Sequence, residues 1–163
     1  SISNGLINIK LRTRLDTIYP ADDYARENYE IFVMDAIPLS TPIRLTNDHL
    51  ADYDPYFSPD GRKIAWLVNV DPLKGEISDG VYLGDWAIKI ANADGSGAEY
   101  LIQDGNINSK PSWGPDGKTI FFHRMEYDPL IDYKFGVFSI DVETKALNRL
   151  TQINTGSNEY PGN

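Results

Sequence analysis

A segment that repeats itself in register restricts a fold more than any single motif, and this chain contains one. Asp54-Pro55-Tyr56-Phe57-Ser58-Pro59-Asp60-Gly61-Arg62-Lys63-Ile64-Ala65-Trp66 returns as Lys110-Pro111-Ser112-Trp113-Gly114-Pro115-Asp116-Gly117-Lys118-Thr119-Ile120-Phe121-Phe122, 56 residues on (Pro55 to Pro111, Gly61 to Gly117). Other marks share the register, at steps of 49 to 57 residues. A strand pattern ending Ile31-Phe32-Val33-Met34-Asp35 recurs at Ile88–Asn92 and at Val137–Asp141. Arg44-Leu45-Thr46 recurs as Tyr100-Leu101-Ile102 and as Arg149-Leu150-Thr151, and Tyr160-Pro161 opens a further unit. Self-similarity with a period of roughly 50 residues points to a repeat architecture in which each unit buries its apolar faces against its neighbours.

Each unit reads as four short strands. In the Pro-Asp-Gly turn, proline pre-sets φ, aspartate bonds the backbone two residues on, and glycine takes the left-handed position. Next comes an apolar run, Ile64-Ala65-Trp66-Leu67-Val68 or Ile120-Phe121-Phe122, of the kind found in strands buried on both faces. The third strand ends at Asp or Asn, and a short fourth carries Arg-Leu-Thr. Helical periodicity is weak throughout, the one candidate lying around Asp22–Glu27. Four antiparallel strands per repeat make a propeller blade.

The sequence Pro-x-(Trp/Phe)-Ser-Pro-Asp-Gly-x-x-Ile-Ala-(Phe/Trp), a strand ending in Asp, and then Arg-Leu-Thr, is similar to the TolB-type propeller repeat. That repeat also occurs in WD-like periplasmic proteins and in the propellers of prolyl-oligopeptidase-like and tricorn-like peptidases. The resemblance covers roughly residues 28–161, and departs at Gly114, where Ser is usual, and at Tyr100-Leu101-Ile102, where Arg-Leu-Thr is usual. It implies an all-β β-propeller with about three four-stranded blades. Residues 1–46 form a partial blade, 54–102 and 110–151 form whole ones, and 158–163 form the first strand of the next.

Propellers close with about four to eight blades, so three blades imply half of a six-bladed ring or a fragment of a larger propeller. In the first case a homodimer completes the ring, with each C-terminus supplying the inner strand of its partner's first blade. The chain opens at Ser1 without an initiator Met, so a mature form, a trimmed chain or a fragment is expected. It has no cysteine, which excludes disulfides and thiolate chemistry. A formal charge of −9 argues against nucleic acid and against docking on an anionic membrane, and no apolar run reaches the roughly 20 residues that span a bilayer.

Function is expected in loops. The three longest connections, Arg12–Asn28, Val70–Gly84 and Arg124–Lys134, all join a second strand to a third and so lie on one face. They hold Tyr19, Tyr24, Tyr82, Tyr127 and Tyr133 and carry more acid than base, a composition suited to protein or peptide recognition. His123 opens the third insertion, and His49 and Asp52 lie in a loop on the same face. These eight residues are the candidate binding set. Asp48, Asp52 and Asp54 offer carboxylates for a cation, but surface solvation is the simpler expectation and no metal or other cofactor is expected. Gly-x-Ser-x-Gly, His-Glu-x-x-His and phosphate-loop motifs are missing, so no catalytic residue is assigned. The resemblance implies a non-catalytic interaction scaffold, periplasmic or secreted. The alternatives are a propeller portion of a peptidase that gates or orients peptide, and a metal- or carbohydrate-dependent propeller enzyme.

Overall fold

The computed structural model describes residues 2–3, 6–13, 28–71, 85–128 and 132–151, with side chains for 29–70, 85–126 and 134–151. Three antiparallel units follow one another. The first contains β1 (Ile2–Ser3), β2 (Leu6–Thr13), β3 (Asn28–Asp35) and β4 (Ile43–Arg44), hydrogen-bonded in that order. The second contains β5 (Ala51–Phe57), β6 (Lys63–Asp71), β7 (Asp85–Asn92) and β8 (Glu99–Ile102). The third contains β9 (Ile107–Trp113), β10 (Thr119–Asp128), β11 (Asp132–Asp141) and β12 (Leu147–Arg149). A single parallel bridge, Trp86 to Ile107, links the second and third sheets. Every described element is a strand, and the chain is an all-β propeller with three blades.

The blades share one register. Ile64 lies between Phe57 and Ala91, and Ile120 between Trp113 and Ile140. Ile7 lies likewise between Ile2 and Met34. The last of these departs from expectation: the chain's own Ile2–Ser3 takes the end of the inner-strand place that a partner's C-terminus was expected to fill. Tyr160-Pro161 lies outside the described residues. The expected insertion Arg124–Lys134 also differs, since β10 and β11 run on through it as a paired hairpin to Asp128 and from Asp132.

The turns explain the repeat motif. Gly61 donates its N–H to the Ser58 carbonyl at 2.9 Å and Gly117 to that of Gly114 at 3.1 Å. Both glycines have φ near the left-handed well, 70° and 64°, a conformation that costs other residues about 1 kcal/mol or more. Asp60 Oδ1 accepts from the Ser58 hydroxyl and the Arg62 N–H. In the third blade, Asp116 instead accepts from the N–H of Lys118 and Thr119 and from the Thr119 hydroxyl. Thr119 thus supplies the hydroxyl that Gly114 lacks. A Cβ on Gly114 would come within 2.9 Å of Asp116 Oδ1 and 3.1 Å of the Phe121 ring, so the two changes belong together.

Two apolar seams hold the blades to each other. Ile31 and Val33 of β3, Phe57 of β5, Ile64 and Trp66 of β6 and Ala91 of β7 form the first. Ala65 and Leu67 of β6, Ile88 and Ile90 of β7, Leu101, Ile120, Phe122, Phe138 and Ile140 belong to the second. Strand β6 sends alternate residues into opposite seams, which is why its sequence is an unbroken apolar run rather than an alternating one. Trp66, 2% exposed, and Phe122, 1% exposed, anchor the two seams, and truncating side chains of this size in a core costs about 3–5 kcal/mol.

Candidate binding end of the propeller

Strand direction brings the β2–β3, β6–β7 and β10–β11 connections to one end, together with the β4–β5 and β8–β9 loops. An aromatic row crosses this end. Tyr29 at the start of β3 lies 5.0 Å from Tyr53 of β5, and Tyr53 lies 5.3 Å from Trp86 of β7, both pairs tilted. Such arrangements favour the quadrupoles of the rings. All three side chains are half-buried, and Tyr53 and Trp86 pack against the second seam. The row therefore has its base in the core and its upper part toward solvent, spanning two blades.

Charged groups flank the row. Lys89 donates to Asp48 Oδ2 at 3.1 Å, and its ammonium lies 5.0 Å from the centre of the Tyr100 ring. Asp48 Oδ1 accepts the Leu50 N–H and so shapes the β4–β5 loop. On the third blade, Arg124 is held 2.7 Å from Asp104 and 2.8 Å from Glu126, and Arg149 reaches the same Glu126 at 3.4 Å. Both guanidinium groups lie over Phe138, at 5.4 and 5.2 Å, where cation–π attraction adds to the ion pairs.

Asp52 behaves differently from a surface carboxylate. It is fully buried, and its Oδ1 accepts the indole N–H of Trp66 at 2.8 Å. Burial pushes its pKa up to about 6, and the Asp48 charge adds to the rise. The Thr46 hydroxyl, the Trp66 N–H and the Lys89 charge oppose it. Asn108 occupies the same register place one blade on, also buried, and donates from Nδ2 to the Trp86 carbonyl at 2.7 Å. The inner strands thus use a polar residue at this position to tie neighbouring strands together.

The eight residues named from sequence are spread over several environments. Asp52 lies inside the first seam. His49 is exposed in the β4–β5 loop. His123 is exposed in the middle of β10, opposite Val137 and Ser109, on the sheet rather than in a loop. Tyr127 and Tyr133 face each other as a paired rung of β10 and β11, and their side chains are outside the described residues, as are Tyr19, Tyr24 and Tyr82 altogether. Asp54 is exposed on β5, and no cluster of three or more His, Cys, Asp or Glu suited to a metal occurs among the described residues. Tyr29 and Tyr53 were missed in the sequence reading. Tyr29 sits near the start of β3 and Tyr53 within β5, each between polar residues, and only the approach of two blades reveals them as a row. Trp86 packs against the second seam and also ends the row.

No protein-family model and no curated protein matches the chain. Solved structures do. TolB from Acinetobacter baumannii is 20% identical with a TM-score of 0.62, over 91% of this chain and 31% of that one. Pyrococcus horikoshii acylaminoacyl peptidase is 15% identical with a TM-score of 0.61, over 94% of this chain and 24% of that one. The β-propeller domain of the Trilobed protease from Pyrococcus furiosus is 13% identical with a TM-score of 0.55, over 93% of this chain and 41% of that one. This chain therefore spans about a quarter to two-fifths of the length of each, and its fold is that of a TolB-like β-propeller.

Proposed function

We propose that this TolB-like propeller is a non-catalytic scaffold that binds a protein or peptide at the end carrying the second-to-third-strand connections. The observation that carries the reading is the half-buried row Tyr29–Tyr53–Trp86 across two blades. Tyrosine and tryptophan give large contact area at low entropic cost and leave a polar tip for hydrogen bonding. The connections around the row are rich in tyrosine and carry a net negative charge, so a basic or polar peptide segment complements them. A homodimer that completes a six-bladed ring is part of this reading, as is a periplasmic or secreted bacterial location, which rests on the TolB likeness.

Selection from a random peptide library on the immobilised chain tests it. Enriched peptides should be basic or polar, and Tyr29→Ala or Tyr127→Ala should weaken their binding by roughly tenfold or more while the melting temperature holds within a few degrees. A library that yields no enrichment, or binding indifferent to both substitutions, contradicts the assignment. A second reading, the propeller portion of a peptidase, draws support from the likeness to two peptidase propellers. It predicts that the gene continues into a hydrolase domain.

A further inference from the structure

Three carboxylates meet where the first and second blades join beneath the aromatic row, and they are not equally provided for. Glu30 of β3 pairs with Arg44 of β4 at 2.7 Å and accepts the Thr46 hydroxyl at 2.6 Å. Asp48 of the β4–β5 loop pairs with Lys89 of β7 at 3.1 Å. Asp52 of β5 has no ion-pair partner among the described residues. It is fully buried, its Oδ1 accepts the Trp66 indole N–H, and its Oδ2 accepts nothing from any described group.

Thr46 stands beside Asp52, but a hydroxyl has one hydrogen to give, and that hydrogen goes to Glu30. The hydroxyl oxygen receives the Ile31 N–H on one lone pair, which leaves the other open. A buried carboxylate oxygen without a donor is costly. A proton on Oδ2 removes the charge and turns the orphan acceptor into a donor, for which Thr46 holds the acceptor. The neutral form thus ties β5 of the second blade to the end of β4 in the first. The ionised form has nothing on Oδ2 and is opposed by the charge of Asp48. Tyr53 follows Asp52 in β5 and Tyr29 precedes Glu30 in β3, with their rings 5.0 Å apart. The first step of the row therefore crosses the same junction as Asp52 and Thr46.

We infer that the Asp52 carboxyl is a proton-closed latch on the first seam. Neutral, it holds Tyr29 against Tyr53, and ionised, it lets this step of the row loosen. The inference rests on the row being the binding site of the proposed function, and gives that site a regulation by pH. The charged groups around the latch are Glu30, Arg44, Asp48 and Lys89, with the Tyr100 phenol of β8 also sensing the Asp52 charge. Both cations are engaged by the other two carboxylates, so a proton is what neutralises Asp52. The row is assembled in acid and relaxed near neutrality.

The three tryptophans report on the latch without a ligand. Trp66 touches it, Trp86 lies 5.3 Å beyond Tyr53, and Trp113 donates to the Tyr56 carbonyl toward the other end of β5. In proton–nitrogen correlation spectra of the full chain, the Trp66 and Trp86 indole signals should move together with a midpoint of about 6, while Trp113 stays still. Asp52→Asn should leave both flat. Histidine changes charge in the same pH range, so His49→Gln, in the neighbouring loop, is the control and should keep the wild-type curves. Trp86 unmoved while Trp66 titrates, curves that survive Asp52→Asn, or curves abolished by His49→Gln overturn the inference. The wild-type curves decide it even if Asp52→Asn fails to fold. Peptides selected on the immobilised chain at about pH 5 should be released by wild type near neutral pH and retained by Asp52→Asn, and retention by wild type overturns the inference as well. A selection in acid that enriches nothing contradicts the proposed function instead, and the indole curves are read independently of it.

Discussion

At the residue scale, Asp52 shows how position governs chemistry. Its pKa of about 6 lies well above the usual 3.8 because burial penalises the charged form. A raised carboxylate pKa means the folded state holds the proton more tightly than the unfolded one. The stability this confers is present in full below about pH 4 and is lost as pH rises through about 6. Asp52→Asn keeps an acceptor for the Trp66 indole and removes the charge. The variant should match wild type near pH 4 and exceed it by roughly 2–3 kcal/mol at pH 7, measured as the difference between paired urea titrations. Taking that difference matters, because Asp60, Asp94, Asp116 and Asp141 are held below the ordinary range by hydrogen bonds to hydroxyl and N–H groups and shift stability the other way. None of the Asp52 behaviour was legible from sequence. Asn47–Asp52 reads as a polar loop, and the indole that buries the carboxylate comes fourteen residues later from a different strand.

At the scale of elements, the Arg-Leu-Thr motif proves to be a clasp between fourth and third strands. In the first blade Thr46 Oγ1 accepts the Ile31 N–H, Leu45 N–H donates to the Ile31 carbonyl, and Arg44 Nε donates to the Thr46 carbonyl. The third blade repeats all three bonds with Thr151, Leu150 and Arg149 on Val137. The second blade has Ile102 in place of threonine and pairs it with Ile88 beside a break in register at Leu101. The motif was readable as a repeat mark, but its purpose needed coordinates. Thr46 also donates to the buried Glu30, which Arg44 pairs at 2.7 Å. Thr46→Val should therefore cost about 1–3 kcal/mol by stranding buried groups, whereas Thr151→Val, at an exposed site, should cost under about 1 kcal/mol. Thermal melts of the two variants check this, and equal losses would remove the distinction. The strands themselves were legible wherever a turn motif bounded them. The extension of β10 and β11 through the expected insertion was not, because Glu126–Lys134 lacks the apolar alternation that marks a half-buried strand.

For the molecule as a whole, the repeat foretold three blades because units of this kind bury little alone and must stack. What the sequence could not state is which alternate residues enter which seam, since an apolar run has no visible period. The structure answers with β6, whose Ile64 and Trp66 enter one seam and whose Ala65 and Leu67 enter the other. It also shows why function at the binding end was only half legible: Tyr29, Tyr53 and Trp86 come from three separate strands, and Tyr29 reaches Tyr53 only across the first seam. The row depends on those two seams being packed in this order. Methyl–aromatic nuclear Overhauser contacts read that order most directly. Ile31 and Val33 methyls should show cross-peaks to the Phe57 and Trp66 rings, and Leu67 and Ile88 methyls to the Phe122 and Phe138 rings. Methyls of Ile31 lying against Phe122, or neither set of contacts in a folded sample, would mean the blades are not arranged around a common axis.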